Sequence, residues 1–420
     1  SQARHDLYQF IKRFFAHMDM SFGLRYTDYN MKSQILKILI MLAMFAAVSR
    51  ACALTVREDP VAAAAYNQAG VEAYNKGAYK SAISYFEQAL RLNRGNSTVE
   101  KNLAEAYSKQ AEYEYEKRAF APAAEYAQLA LSLNCNDTAA LYILGDIRYN
   151  SGNLEGARDL WTKLIEIQPD LACADDLRKR MDKAETEIRI EKEYRSLGMD
   201  QFDIRYAKEG ARTGYNVRYY LQEAYRILGQ EFGLMPDYRI TVILYNKEDF
   251  EAVRDWKVNA GGVYDGKIRL PFVGSGFSKE ELRGIIWHEY THLLVTDISR
   301  GKAPDWLQEG LAYYEGYKYA GKDLRILKNA VKNDILIPFG KLDSVLSSSS
   351  DEVQYMLAAQ ESYSMAKYLM KRYNKHTIRE LLLLLGTGMA FEQAAEKRLY
   401  VTQKELERRW LKELKAGELY

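Results

Sequence analysis

The sequence predicts a multidomain chain of two fold classes, an all-α solenoid over residues 60–170 and an α+β domain over residues 198–420. Three observations predict it. Residues 63–170 are self-similar at a period of about 34 residues, the spacing of stacked helix pairs. A heavily charged segment then runs from Asp175 to Arg195. Beyond it, Ile268, Leu270 and Phe272 alternate with polar residues as a strand does, just ahead of a segment of helical period that opens at Ser278. At 420 residues the chain is also too long for one ordinary compact core.

Lys32 and Lys37 precede the apolar run Ile38 to Val48, and Ala51-Cys52-Ala53 offers small residues at the positions a signal peptidase reads. Residues 31–53 therefore read as a signal peptide with Met31 as a natural start, and residues 1–30 as an N-terminal extension ahead of it. Export to the periplasm or cell envelope is the expectation. An uncleaved anchor or a lipidated Cys52 is the alternative, although Ser49-Arg50-Ala51 makes a poor lipidation motif. Cys135 and Cys173 would then be the remaining cysteines, an even pair that permits one disulfide or two buried thiols.

In the first repeat Gly70, Tyr74, Gly77, Tyr79, Ala82, Phe86 and Ala89 take the helix-turn-helix packing positions. The third has Leu144, Gly145, Tyr149, Gly152, Leu154, Ala157, Trp161 and a closing Pro169. The second is weaker: Leu103, Ala104 and Tyr107, then Phe120, Ala123 and Ala130, with about seven extra residues between its helices, which two added helical turns would hold without breaking register. The pattern resembles the tetratricopeptide repeat, and three copies are about the minimum for a stable stack. Such arrays present a concave surface to a peptide or protein, so a protein partner is expected here by analogy of fold; the alternative is an array that packs on the following domain and orients it. The charged segment within 171–197 reads as a capping and linker helix with a solvated face.

A net charge of +2 gives no reason to expect nucleic acid. There is no glycine-rich phosphate loop and no zinc-ribbon cysteine pattern. Ile268, Leu270 and Phe272 alternate with polar residues as in a half-buried strand, and Pro271 confines that strand to an edge or a strand end. Such an edge suits pairing with an extended peptide.

Ser278 and Glu281 have capping-box spacing. Leu282, Ile285, Ile286, Leu293 and Leu294 then recur at helical period, so His288-Glu289-Tyr290-Thr291-His292 lies on a mostly buried helix. Residues four apart share a helix face, so both imidazoles can point at one cation while Glu289 reaches a water beside it. Pro304 suits the start of a second helix carrying Glu309, a candidate third ligand, and Gly310 permits close helix approach. Three protein ligands plus a vacancy for water is the pattern of catalytic zinc.

His288-Glu289-x-x-His292 followed by Trp306-Leu307-x-Glu309-Gly310-x-Ala312-x-Tyr314 resembles the peptidase MA-like group of gluzincin metallopeptidases. Asp203-Ile204-Arg205-Tyr206 and Ile240 to Leu244 resemble the leading strands of that group, and Ser362-Tyr363, Tyr368-Leu369, Gly386-Thr387-Gly388, Ala394-Ala395 and Glu405-Leu406-x-x-x-Trp410 resemble its C-terminal helical part. The resemblance spans about residues 200–415. It implies that His288, His292 and Glu309 ligate one Zn2+, that Glu289 is the general base of peptide hydrolysis, and that the substrate is a peptide or protein. One departure is Ala359, where that group leads one to expect a tyrosine. Tyr363 and Tyr355 are candidates for steadying the oxyanion, with His376 behind them. Asp297 and Asp305 could orient a histidine, although solvated surface is the ordinary place for both. The alternative reading is a repeat adaptor with a catalytically silent peptidase-like domain.

Overall fold

The computed structural model describes residues 58–198, 201–207, 210–253, 263–273 and 276–420. The signal-peptide and extension expectations fall outside them. Six helices form three antiparallel pairs: α1 (Pro60–Asn75) with α2 (Tyr79–Leu92), α3 (Ser97–Glu116) with α4 (Phe120–Leu133), and α5 (Thr138–Asn150) with α6 (Leu154–Ile167). The helices of a pair touch where a small residue faces a large one. A Cβ on Gly70 would lie 2.5 Å from the Phe86 ring, and one on Gly145 would collide with the Trp161 ring.

The second repeat holds its extra residues as added helix. Gly77 (φ 72°), Arg118 (φ 62°) and Gly152 (φ 78°) hold the same left-handed position between paired helices. The same pattern of turn bonds closes each: Ala78 N–H donates to Ala73, Ala119 to Glu114 and Asn153 to Arg148. This register sets Ala111 opposite Gly70 and Gly145. The extra residues lie inside α3, which has 20 residues against 13 in α5, and not between the helices. Added helical turns lengthen one rod without disturbing the pairing.

Helix α7 (Ala174–Glu191) caps the array, and β1 (Arg195–Gly198) opens the sheet. The next elements are β2 (Phe202–Tyr206), α8 (Ala211–Phe232), β3 (Ile240–Asn246), α9 (Lys247–Val253), β4 (Val263–Tyr264) and β5 (Ile268–Val273). The sheet order is β1-β2-β3-β5-β4, with β2, β3 and β5 parallel and both outer strands antiparallel. Helices complete the chain: α10 (Lys279–Ser299), α11 (Asp305–Gly316), α12 (Arg325–Asn333), α13 (Leu342–Ser348), α14 (Glu352–Arg372), α15 (Lys375–Gly386), α16 (Phe391–Leu399) and α17 (Gln403–Lys415). Among the described residues no helix is long and apolar enough to cross a membrane. Cys135 and Cys173 are both free.

One sheet face buries Val242, Leu244, Ile268 and Leu270 against Val217, Leu221 and Leu228 of α8 and Ile286 and Tyr290 of α10. The other face is also covered, which overturns the half-buried reading of β5. Ile243 and Tyr245 pack on Phe250, Val253 and Ile190, and Lys267 and Arg269 are fully buried. Their partner is Glu187 of α7, likewise fully buried, at 2.6 Å from Lys267 and 2.9 Å from Arg269. The charged cap helix is therefore not simply solvated. Strand β5 is the second strand from its edge, with β4 outside it, and Pro271 lies beyond the two residues that β4 pairs.

Gly310 lets α11 press on α14: a Cβ there would overlap the Ser362 carbonyl, with its carbon at 2.9 Å. Backbone cannot step aside as a side-chain tip can. Gly310→Ala should cost about 1–3 kcal/mol of stability, as overpacking does, read as a lower midpoint in chemical denaturation at unchanged slope.

Candidate metal centre

Helix α10 starts at a complete capping box: Ser278 Oγ accepts from Glu281 N–H at 3.1 Å, and Ser278 N–H donates to Glu281 Oε2 at 2.8 Å. It ends where Arg300 adopts the left-handed conformation (φ 53°). The short return through Gly301 (φ 70°) brings α11 back along it. Asp343 Oδ1 accepts from Trp306 N–H at 2.8 Å and so caps the new helix. Thr296 on α10 also lies 3.2 Å, hydroxyl to Oε1, from Gln308 on α11.

That geometry brings three donors together. His288 Nε2 and His292 Nε2 are 3.1 Å apart, and each lies 3.7 Å from a Glu309 carboxylate oxygen. Tetrahedral zinc with bonds near 2.1 Å separates its ligand atoms by roughly 3.4 Å, so the triangle has the right size. Among the described residues these three form a cluster whose ligand atoms all lie within 4.8 Å of one another. Burial holds the His288 imidazole well below its usual range, and the neighbouring His292 adds to this; the Ala312 carbonyl accepting from the ring opposes it only in part. Burial alone pushes His292 down to about 4. Both rings are thus neutral, with lone pairs available. Helix α11 thus brings a carboxylate to within 3.7 Å of both rings.

Glu289 is buried, and its Oε2 has no hydrogen-bond partner. Burial raises its carboxyl well above the usual range, with the Glu309 and Asp265 charges adding to the effect. An orphaned buried carboxylate oxygen is costly unless another group comes to it. A water or a substrate amine beside the cation would be such a group.

The remaining candidates divide. Tyr355 has its hydroxyl 3.5 Å from Glu309 Oε1, reaching in from one turn before Ala359 on α14. Tyr363 is buried elsewhere, its hydroxyl 3.3 Å from Lys322 Nζ and its ring against Tyr317. The structure brings Tyr355 to the ligands and not Tyr363. His376 is largely exposed, near Glu380. Asp297 neither orients a histidine nor faces solvent: it is buried between Arg118 and Tyr238. Tyr313 was missed. Its ring meets His288 edge to face at 4.5 Å between centroids, and its position four residues after Glu309 was the available signal.

Residues 227–416 match the family model of the Peptidase MA superfamily, and residues 63–96 match that of the tetratricopeptide repeat. The chain carries a Peptidase MA superfamily domain behind tetratricopeptide repeats. No curated protein matches. Among solved structures, the first TPR of Spaghetti (RPAP3), bound to the HSP90 peptide SRMEEVD, is similar at 21% identity. That match covers 32% of this chain and 98% of that chain, with a TM-score of 0.23.

In the peptidase MA domain the three candidate ligands differ in how protons would compete with a cation. Burial raises Glu309 to about 7, with Asp305 adding to it. A ligating carboxylate must be ionised, so protons compete at Glu309 below about neutrality and at His292 only near 4. Zinc affinity measured by chelator competition should rise roughly tenfold per pH unit from pH 5 to 7 and then level off.

Proposed function

We propose that the chain is an exported zinc-dependent peptidase that hydrolyses peptide bonds at this site, its tetratricopeptide array recruiting or orienting a protein partner. The observation that carries the reading is the unpartnered buried carboxylate of Glu289 beside the His288, His292 and Glu309 triangle. A silent scaffold has no use for a carboxylate held so expensively, which favours this reading over an adaptor.

His288, His292 and Glu309 would hold the ion. Zinc bound there would polarise a peptide carbonyl and make a water more acidic. Glu289, with its raised proton affinity, takes the proton of the attacking water and returns it to the leaving amine. The Tyr355 hydroxyl, on the Glu309 side, is placed to donate to oxygen as it gains charge, the role of an oxyanion-hole donor. The ligand side chains are 14–20% exposed, so a chain in solution can reach them. Tetratricopeptide arrays commonly engage proteins. In this one a cavity of about 270 Å³, lined by Tyr74, Glu105, Lys109, Glu112 and Asp137 among others, offers charges of both signs to a partner segment. The apolar run at residues 38–48 supports export.

Glu289→Gln keeps the shape and removes the base. It should bind one zinc per chain as the wild type does and lose about 100-fold or more of peptide cleavage, followed by mass spectrometry of a peptide library. Wild-type protein that binds zinc yet cleaves no peptide, while residues 58–198 of the intact chain still capture a partner, would turn the reading to the adaptor.

A further inference from the structure

Arg118 breaks the pattern of its own array. At the left-handed turn between paired helices the first and third repeats have Gly77 and Gly152, which take positive φ freely. The second repeat has arginine there, at φ 62°, a conformation that an L side chain adopts rarely and at a cost. Nothing within the array uses the guanidinium as an ion-pair partner. Its Cζ lies 4.7 Å from the Phe120 ring, and its Nε donates to Asp297 Oδ1 at 2.8 Å, out of the array and into α10.

Asp297 stands five residues after His292, and its side chain is only 5% exposed. Its other oxygen accepts from the Tyr238 hydroxyl at 2.5 Å. Tyr238 in turn packs edge to face on Phe120 of the array at 4.9 Å. Arg118 also approaches the Tyr264 hydroxyl on β4 at 3.4 Å. The last turn of the helix that carries both histidines is therefore gripped from another domain, through a carboxylate that has little water to turn to.

A second weld holds the array in place for this. Glu187 joins Lys267 and Arg269, Lys183 meets Asp265 at 2.8 Å, and Tyr149 donates to Glu187 at 2.6 Å while accepting from Arg269 at 3.1 Å. The β4–β5 turn is seated so closely that a Cβ on Gly266 would collide with the Asn150 side chain. A module that merely recruits from a tether needs none of these contacts.

We infer that Arg118, supplied by the repeat array, is a positioning residue for the metal site, acting through Asp297 on the helix that carries His288 and His292. The inference rests on the peptidase reading for the identity of the cation. Without the guanidinium, the Asp297 carboxylate is an uncompensated buried charge; the end of α10 then shifts or frays to hydrate it, and the ligand triangle loosens.

Arg118→Gly tests this without threatening the array, because glycine is what the sister repeats carry at that turn. Zinc affinity should fall about tenfold, the size of a lost supporting contact around a metal. Amide exchange over residues 288–299 should speed up about tenfold or more while residues 60–167 stay as protected as before. Adding Asp297→Asn removes the stranded charge, and the double variant should recover affinity and protection to within about threefold of the wild type. The inference is overturned if Arg118→Gly matches the wild type in affinity and in exchange over 288–299. It is equally overturned if the array loosens along with α10, or if the double variant recovers nothing. Failure of the wild type to bind zinc would sink the peptidase reading instead, and the exchange measurements would then decide this inference alone.

Discussion

The candidate metal centre depends on how closely two helices can lie. Gly284 on α10, one turn before His288, faces Gly316 at the end of α11, and a Cβ on either would come within 2.9 Å of the other's carbonyl oxygen. With ordinary side chains there the helix axes would stand further apart. Glu309 would then leave the reach of the imidazoles. Gly310 plays the same part on the opposite side of α11, against α14, which carries Tyr355. Helix α11 is thus clasped between two neighbours at glycines, one of them beside Glu309. Packing of this kind makes the ligand geometry a property of backbone contact, stiffer than any arrangement of flexible side chains.

Electrostatics add a second constraint. Buried charge is expensive, and Glu187, Lys267 and Arg269 are all fully buried where the array meets the sheet. The cost is tolerable because the partners are mutually satisfied: Arg269 reaches Glu187, Asp265, Tyr149 and Tyr245, and Glu187 is held below the usual carboxylate range by the two cations despite its burial. Apolar residues could have joined these surfaces with less penalty. A polar network demands a single register, however, since any slip strands a charge. It fixes how the array sits on the sheet, and hence where Arg118 meets α10.

The legible part of this molecule was the part written in local periodicity. The capping box at Ser278, the ligand spacing of His288 and His292, and Glu309 on the following helix all depend on neighbours within a turn or across one short return. The glycine–aromatic pairs of the first and third repeats were equally visible. What sequence did not reveal was set by contacts far along the chain. Lys267 and Arg269 alternate with apolar residues as solvent-facing positions do, and only the arrival of α7 from some 80 residues upstream buries them. Asp297 looked like surface for the same reason, its partner Arg118 lying 179 residues away. Tyr363 and Tyr355 lie eight residues apart on one helix, and sequence could not tell which faces α11 near Glu309.

The second repeat joins these two kinds of information. Read by residue similarity, it carries an insertion that added helical turns can hold; read by backbone, its turn has the same bonds as the others and α3 takes up the extra length. The place of that turn is obscure in sequence because the residue that marks it elsewhere, glycine, is absent. Its replacement by arginine obscures the repeat and also ties the array to the metal helix, so one substitution degrades the local signal in order to satisfy a distant partner. Local consistency is what makes a repeat recognisable, and a position that abandons it while the fold persists is answering to something outside the repeat. Here that something is the buried carboxylate of Asp297, just over one turn beyond His292.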